Sequence, residues 1–294
     1  MHMFNKQAQR ERIGDIKKNA SLDHLKPVEK YFLNKVKQYK IEISYDVIAN
    51  ELPYFKTINY TEWAHSFIMH PLQQELRIKQ MLDAYLDNCD IKHDFCEYLK
   101  QRIISRKSNK YQHIDMQVEY VPREVLVVLV GSNKLKDRIC LNKLRWIKNK
   151  HEEDVWFKPH PLTTYQLVGE LKDLFGEKCV TDRDADMYKL LLDAEIVYTS
   201  HMSESVAYCV SLDKQIEPID VYGKVEQGSF YHINHPLFTE KNPKLWLNRA
   251  FNSAKSGIVN PELDSNWREK VDQYLEYIML EREQHKDKYV YGSK

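Results

Sequence analysis

Residues 125–130 are VLVVLV, a run in which every side chain is valine or leucine. A strand that is apolar on both faces is typical of the centre of a parallel sheet with helices on either side. A later run at 216–221 contains Pro218, which lacks a backbone N–H and therefore predicts an edge strand. Other short apolar runs predict the remaining strands, at 155–158, 178–180 and 196–199.

Amphipathic segments separate these strands, because their apolar residues recur at helical spacing. They run through 141–147, 167–175, 184–193 and 203–210, and a last one covers 266–283. Strand and helix alternate through short links, which is the pattern of a doubly wound α/β domain. We therefore expect a Rossmann-like half with a parallel sheet.

The first part of the chain has a different texture. Apolar spacing predicts helices between Leu72 and Leu86 and from Phe95 to Ile103, and a short strand at 40–45. Residues 50–63 are polar and aromatic with one proline, which predicts a loop. The expected organisation is a mainly helical N-terminal domain, a Rossmann-like domain and a C-terminal helix that packs back, at 1–116, 117–262 and 263–294.

Composition excludes several classes of protein. The 294 residues carry 44 Lys and Arg against 43 Asp and Glu, so no global basic field demands nucleic acid. Five cysteines form no CxxC pair, from which we expect reduced thiols, no zinc site and a cytoplasmic location. No apolar run approaches the roughly 20 residues of a membrane span.

Polar loops follow three of the predicted strands, at the edge where open α/β sheets bind ligands. Backbone N–H groups, hydroxyls and cations in such loops suit phosphate. We therefore expect a phosphorylated ligand, most simply a nucleotide or nucleotide sugar. The candidate binding residues are Gly131, Ser132, Asn133, Lys134, Lys158, His160, Ser200, Ser203, Glu204 and Ser205.

Two common nucleotide motifs are missing from the sequence. There is no GxxxxGK[ST], which argues against a P-loop kinase or NTPase. There is also no GxGxxG, which argues against a dinucleotide-dependent dehydrogenase.

WFKPHP at 156–161, followed by a strand and TSHMSES at 199–205, resembles the nucleotide-binding half of GT-B-type glycosyltransferases. The resemblance is to the sialyltransferase-like, Kdo-transferase-like and capsule-polysaccharide groups, and it covers roughly residues 122–235. It implies a GT-B-like fold and a UDP- or CMP-linked sugar donor, without a bound metal or cofactor. It also implies that His160 lies near the donor phosphate with Lys158 on the same loop, and that Ser203 and Ser205 cap a helix pointing at the phosphate.

An inverting transfer also needs a general base near the acceptor hydroxyl. Asp46 and Glu51 are candidates, and Glu62 and His65, which flank Trp63, are the preferred pair. The Gly- and His-containing segment 228–236 is expected to be a loop, either closing over the donor or serving as a simple connection.

The acceptor stays open at this stage. Residues 100–110 hold five Lys or Arg and no acid, and we expect Arg102, Arg106, Lys107 and Lys110 to contact duplex DNA. The Lys-, Asn- and Tyr-rich texture is similar to that of large tailed-phage proteins, some of which glycosylate hydroxymethylated cytosine, with glucose or a pentose such as arabinose. A capsule or surface polysaccharide is the alternative acceptor. A nucleotide-sugar epimerase, another phosphosugar enzyme and a non-catalytic nucleic-acid-binding protein are alternatives of other classes.

Overall fold

The protein is described by a computed structural model that covers residues 22–45, 57–70, 89–105, 121–131, 139–221 and 230–284. The chain divides into two compact units, which are described separately. The parallel-sheet unit comprises the described residues between Leu99 and Thr239. The mixed-sheet unit comprises those between Asp23 and Tyr98 and those from Glu240 onward.

The strands, in chain order, are β1 Glu42–Tyr45, β2 Thr57–Trp63, β3 Ser66–His70, β4 Val125–Val128, β5 Val155–Lys158, β6 Ile196–Thr199, β7 Gln215–Pro218 and β8 Ile258–Val259.

The helices are α1 Lys26–Gln38, α2 Phe95–Ile104, α3 Leu141–His151, α4 Tyr165–Phe175, α5 Met187–Asp193, α6 Ser205–Ser211, α7 Tyr231–Thr239, α8 Pro243–Asn252 and α9 Trp267–Gln284. Short 3₁₀ turns lie at Asp23–Leu25 and Glu177–Cys179.

The parallel-sheet unit is built on β4. Its sheet has the order β5-β4-β6-β7, and every neighbouring pair is parallel. All four side chains of β4 are buried, as the apolar run predicts, and β7 lies at the edge as Pro218 predicts. The core extends into the helices between the strands; Phe157 of β5, for example, stacks on Phe175 of α4. The mixed α/β class with a Rossmann-like parallel sheet is confirmed.

The mixed-sheet unit joins the two ends of the chain. Its sheet has the order β1-β2-β3-β8, with β1 parallel to β2 and the other pairs antiparallel. β8 lies almost two hundred residues after β3 and pairs with it, so the C-terminal part completes an N-terminal sheet. The predicted boundaries at 116 and 262 differ from this division, which falls after Tyr98 and after Thr239.

Helices cover this second sheet. Asp272 of α9 accepts hydrogen bonds from Tyr31 at 2.8 Å and from Lys35 at 3.0 Å, both on α1. On α2, Phe95 stacks on Phe251 of α8 with 4.5 Å between ring centroids. The last helix therefore packs against α1 of the N-terminal part.

Three predicted elements differ from the structure. The loop expected at 50–63 is strand β2 from Thr57 onward, since Asn59 and Thr61 are buried in the sheet despite being polar. The strand expected at 178–180 is a 3₁₀ turn followed by one bridge between Val180 and Phe157. The loop expected at 228–236 is helix α7 from Tyr231, and the helix predicted between Leu72 and Leu86 lies outside the described residues.

Gly257, just before β8 in the mixed-sheet unit, has no room for a side chain. Its φ is +76°, and a Cβ added there would lie 2.0 Å from the Met69 carbonyl oxygen and 2.9 Å from the Tyr274 ring. The backbone itself is engaged, because the Met69 N–H donates to the Gly257 carbonyl at 2.8 Å. Only a residue without a Cβ fits this approach.

We expect Gly257→Ala to lower the free energy of unfolding by about 3 kcal/mol or more, because strain and a backbone clash add. Gly169→Ala is the matched control. Gly169 lies inside α4 with open space around its Cα, so alanine there should stabilise the fold by up to about 1 kcal/mol. Urea denaturation measures both changes. Equal effects of the two substitutions would contradict the packing at Gly257.

Lys270 of α9 is a buried cation, with 6% of its surface exposed. Its Nζ donates to the Phe251 carbonyl and lies 3.5 Å from Asp264. Desolvation lowers the Lys270 pKa from 10.5 to about 8, and Asp264 offsets only part of that effect. Between these two pKa values the unfolded chain holds the proton more tightly, so the free energy of unfolding should rise with pH.

From these pKa values, Lys270 should raise the free energy of unfolding by about 2 kcal/mol between about pH 7.5 and 9.5. Lys270→Met should remove it, whereas Lys26→Met, at an exposed lysine, should keep it. Urea denaturation at several pH values measures the slope. A variant that retains the full rise would show that another group is responsible.

Candidate functional site

The carboxyl ends of the four parallel strands meet at one edge of the sheet. The register pairs Val128 of β4 with Lys158 of β5, and Thr199 of β6 with Pro218 of β7. The loops after β5, β6 and β7 therefore leave the sheet at the same edge; β6 and β7 are neighbours, and β4 lies between β5 and β6. This is the edge at which open α/β sheets bind ligands.

The first loop is the turn that follows β5. The Thr163 N–H donates to the His160 carbonyl at 2.8 Å, and the Leu162 N–H donates to His160 Nδ1 at 3.1 Å. Since Nδ1 accepts a hydrogen bond, the proton of the neutral ring is on Nε2. The turn thus fixes the tautomer of a half-buried imidazole and makes Nε2 a donor, as binding to an oxyanion requires.

Lys158 precedes this turn and is buried. Its Nζ donates to the carbonyls of Pro159 and Arg183, both at 2.7 Å. The Arg183 guanidinium in turn donates to the Thr163 carbonyl at 2.9 Å and stacks over the Tyr165 ring. Both cations therefore brace the backbone of the turn, and Lys158 supports His160 as part of the loop.

A chain of hydroxyl groups shapes the loop after β6. The Ser205 Oγ lies 2.8 Å from both Thr199 Oγ1 and Ser203 Oγ. The Ser205 N–H also donates to Ser203 Oγ at 3.2 Å. Ser205 is buried and Ser203 is half-buried, so this network closes the first turn of α6 upon the end of β6.

Asp220, beyond the end of β7, ties the β6 loop to its neighbour. Its carboxylate accepts hydrogen bonds from the Ser200 hydroxyl at 2.5 Å, the His201 N–H at 2.8 Å and His201 Nδ1 at 2.6 Å. The side chains of His201 and Asp220 are 2% and 1% exposed. This is a buried, fully hydrogen-bonded Asp–His pair at the ligand edge.

Helix α7 packs against this pair. His235 Nδ1 lies 3.4 Å from His201 Nε2, and the Asn234 side chain donates to the carbonyls of His201 and Ser203 at 2.8 Å each. The rings of Phe238 and Tyr231 lie 4.4 Å and 5.3 Å from the His201 ring, centroid to centroid. The segment expected to be a loop therefore supplies an aromatic wall and a second imidazole.

The predicted donor residues of the second and third loops lie at the same edge of the sheet, with the end of β4 between them. Gly131, half-buried, follows β4 at the same edge, whereas Ser132, Asn133 and Lys134 lie outside the described residues. Ser200 and Ser205 are buried in side-chain hydrogen bonds, and Ser203 and Glu204 are half-buried. Glu204 takes the N-cap position of α6 without a side-chain cap, so Ser203 and its neighbours order the turn instead. Contact of these residues with a donor stays a prediction.

Glu62 and His65 belong to the mixed-sheet unit. Glu62 is half-buried in β2, and His65 lies in the tight turn between β2 and β3. Ala64 and His65 have φ of +46° and +60°, and the His65 carbonyl accepts from His24 Nε2 at 2.9 Å and Asn260 at 3.2 Å. His65 is 2% exposed, which favours a structural role in this conformation. Its catalytic role stays a prediction, as does that of Glu62.

Only one of the four predicted DNA-binding residues lies among the described residues. Arg102 lies half-buried in α2, and Arg106, Lys107 and Lys110 are outside the described residues. Candidate bases Asp46 and Glu51 are outside them too.

Carboxylates alternate at Asp182, Asp184 and Asp186, a spacing that invites comparison with metal-binding motifs. Asp186 caps α5 by accepting from the N–H groups of Tyr188 and Lys189, and Asp184 lies 3.6 Å from Arg183 Nε. Across the described residues, no group of three or more His, Cys, Asp or Glu is arranged to hold a metal ion. Nor is any described helix long and apolar enough to cross a bilayer.

Cys209 of α6 lies behind the site. Burial raises the pKa of its thiol far above the ordinary value, so Cys209 is unsuited to act as a nucleophile.

Four residues of the site escaped prediction: His201, Asp220, Asn234 and His235. His201 lies within the TSHMSES motif, but its partner is nineteen residues away and reaches it only through the β6–β7 register. The sequence HINHPL at 232–237 contained an indication of helix α7, because Ile233 and Leu237 are four residues apart, as on one face of a helix, and both are buried.

Comparisons with known proteins leave the family open. The sequence matches no protein-family model and no curated protein sequence. Among solved structures, Thermosulfurimonas dismutans KpsC, a beta Kdo 2,7 transferase, is similar with 13% sequence identity and a TM-score of 0.35. The likeness covers 74% of this chain and 79% of that chain. Similarity at this level supports no assignment of activity.

The hydroxyl chain gives a direct test of the loop after β6. Ser205→Ala leaves Thr199 Oγ1 and Ser203 Oγ without their shared partner, so we expect it to lower the free energy of unfolding by about 2 kcal/mol. Ser211→Ala is the matched control: it is buried in the same helix, but its hydroxyl only adds a bond to the Ala207 carbonyl. Its expected effect is below about 1 kcal/mol. Equal losses in thermal or urea denaturation would contradict the network.

Proposed function

We propose that the protein is a glycosyltransferase that transfers a sugar from a nucleotide-sugar donor to a hydroxyl acceptor. The observation that carries the proposal is the His160 turn, which makes Nε2 a hydrogen-bond donor at the same carboxyl edge of the parallel sheet as the hydroxyl and Asp–His loops. Such an edge is the usual place for a nucleotide in α/β proteins. The resemblance of WFKPHP and TSHMSES to GT-B-type enzymes agrees with it.

In this proposal the donor phosphate lies against the His160 turn. As the bond from the anomeric carbon to the phosphate oxygen breaks, negative charge grows on the nucleotide. Hydrogen-bond donors fixed by the fold stabilise that charge without having to reorganise, which lets protein groups take the part of a divalent cation. The acceptor hydroxyl gives its proton to a general base, for which Glu62 and His65 remain the candidates.

The finer proposal concerns donor and acceptor. The donor is UDP- or CMP-linked, and the first acceptor to test is 5-hydroxymethylcytosine in duplex DNA, with glucose or a pentose such as arabinose as the sugar. It is supported by the basic sequence at 100–110, and it requires the target base to be flipped out of the stack. A phage-encoded enzyme of this kind acts in the host cytoplasm. A capsule or surface polysaccharide is the second acceptor.

A thermal-shift panel of CMP, CDP, UDP, GDP and ADP tests the donor site. A nucleotide present at about 100 times its dissociation constant should stabilise the fold by roughly 2.7 kcal/mol. His160→Ala removes both the imidazole and the bond to the Leu162 N–H, and should abolish the shift. His160→Asn is the matched variant, because its side-chain oxygen can still accept from Leu162 and keep the turn.

Comparison of the two variants distinguishes phosphate binding by the imidazole from phosphate binding by the backbone of the turn. We expect His160→Asn to fold like the wild type and still lose nucleotide stabilisation. Full binding by His160→Asn would mean that the turn, not the imidazole, holds the phosphate. If no nucleotide stabilises the wild type, the glycosyltransferase proposal falls.

Acceptor choice is tested by transfer of labelled sugar from the nucleotide sugar whose nucleotide binds. Hydroxymethylated duplex DNA, unmodified duplex DNA and polysaccharide are offered in parallel. Transfer only to the hydroxymethylated duplex is expected. Release or isomerisation of the sugar without any acceptor would favour a phosphosugar enzyme instead. Salt-sensitive DNA retention that His160→Asn leaves intact, without transfer, would favour a binding protein.

A further inference from the structure

Tyr165, the first residue of α4, presents an aromatic ring at the ligand edge of the parallel sheet. The helix follows the His160 turn, and Thr164 caps it by accepting from the Leu167 N–H at 3.3 Å. Tyr165 is 72% exposed, whereas Leu167 and Leu171 of the same helix are in the core. The ring of Tyr165 therefore lies outside the core, on the surface where a ligand of this edge would bind.

Arg183 covers one face of this ring. Its guanidinium carbon lies 3.5 Å from the ring centroid, within the range of a cation stacked on an aromatic face. Arg183 is only 8% exposed, and its guanidinium also donates to the Thr163 carbonyl at 2.9 Å and lies 3.6 Å from Asp184. A buried cation anchored in this way holds the ring in a fixed plane, and the high exposure of Tyr165 leaves the opposite face to solvent.

The same contacts tie the ring to the turn that carries the proposed phosphate ligand. Arg183 bridges the Tyr165 ring and the Thr163 carbonyl, and the Thr163 N–H donates to the His160 carbonyl at 2.8 Å. The Arg183 carbonyl also accepts from Lys158 Nζ at 2.7 Å. The aromatic ring and the imidazole therefore belong to one braced turn. A nucleotide likewise carries a flat base and a phosphate on either side of one sugar.

We propose that Tyr165, held from beneath by Arg183, is the platform on which the nucleobase of the donor stacks. Tyr165 contacts the ligand, and Arg183 is a positioning residue that acts through it. Every nucleobase has a π face, so a platform of this kind accepts any base and favours a nucleotide over a simple sugar phosphate. The inference rests on the proposed function for the presence of a nucleotide, and it adds the group that binds the base.

Isothermal titration calorimetry with the whole chain tests the platform. The ligands are UDP and CMP, with inorganic pyrophosphate and phosphate as the matching anions that lack a base. Tyr165→Leu keeps an apolar cover over Arg183 but removes the flat ring. We expect it to weaken nucleotide binding about tenfold and to leave the affinity for the inorganic anion unchanged. Tyr165→Phe keeps the ring and should bind both ligands as the wild type does.

NMR of the bound nucleotide gives a readout that a merely structural role would not change. An aromatic ring stacked on a base shifts the ring protons of that base to higher field. We expect this upfield shift with the wild type and with Tyr165→Phe, and its absence with Tyr165→Leu at saturating nucleotide.

Trp146→Leu is the matched control, because it also removes an exposed aromatic ring from the parallel-sheet unit. Trp146 is 46% exposed and has Lys143 over its ring, but it lies in the middle of α3 and not at the ligand edge. This variant should bind nucleotide with the affinity and the upfield shift of the wild type.

Three results would overturn the proposal: a nucleotide affinity that Tyr165→Leu leaves unchanged, an upfield shift that persists in this variant, or equal losses of affinity for nucleotide and inorganic anion. The last would mean that Tyr165 only supports the turn. Nucleotide binding that does not depend on Tyr165 overturns the platform and keeps the donor site. Binding that depends on Tyr165, without sugar transfer to any acceptor, keeps the platform and overturns the glycosyltransferase. If the wild type binds no nucleotide, both proposals fall.

Discussion

The burial of β4 on both faces is the constraint from which the rest of the parallel-sheet unit follows. Every side chain of this strand is in the core, so the centre of the sheet offers no polar group to a ligand. Polar side chains that follow the central strands are found where those strands end. The parallel register then places the ends of β5, β6 and β7 at one edge of the sheet, and the residues just beyond them include His160, His201 and Asp220. A site at this edge is a consequence of how the core is made.

The sequence predicted those features that depend on neighbours in the chain. The run VLVVLV has no polar position, which distinguishes a central strand from a surface one, and Pro218 marks an edge strand because it cannot donate a ladder bond. The turn at His160 could be predicted for a similar reason, since the prolines on either side of it exclude a helix; contact of His160 with a donor stays a prediction. In each case the physical cause lies within a few residues.

What was missed depends on contacts that are distant in sequence. Asp220 contacts His201 because β6 and β7 are paired in the sheet, and no residue near Asp220 in the chain indicates that partner. β8 is two residues long and exists as a strand only because β3 pairs with it. The α7 segment was misjudged because its histidines and Pro236 suggested a loop, while the buried Ile233 and Leu237 determined the helix.

Charge at the ligand edge is distributed in an unexpected way. Lys158 and Arg183 are permanent cations by chemistry, but the structure commits them to the backbone carbonyls of Pro159, Arg183 and Thr163, where they hold the His160 turn. Such bonds are strong because the donor is charged, and they leave the cation pointing into the protein. In the proposed function, hydrogen bonds to an anionic ligand therefore come from neutral donors such as His160 Nε2 and not from these two cations.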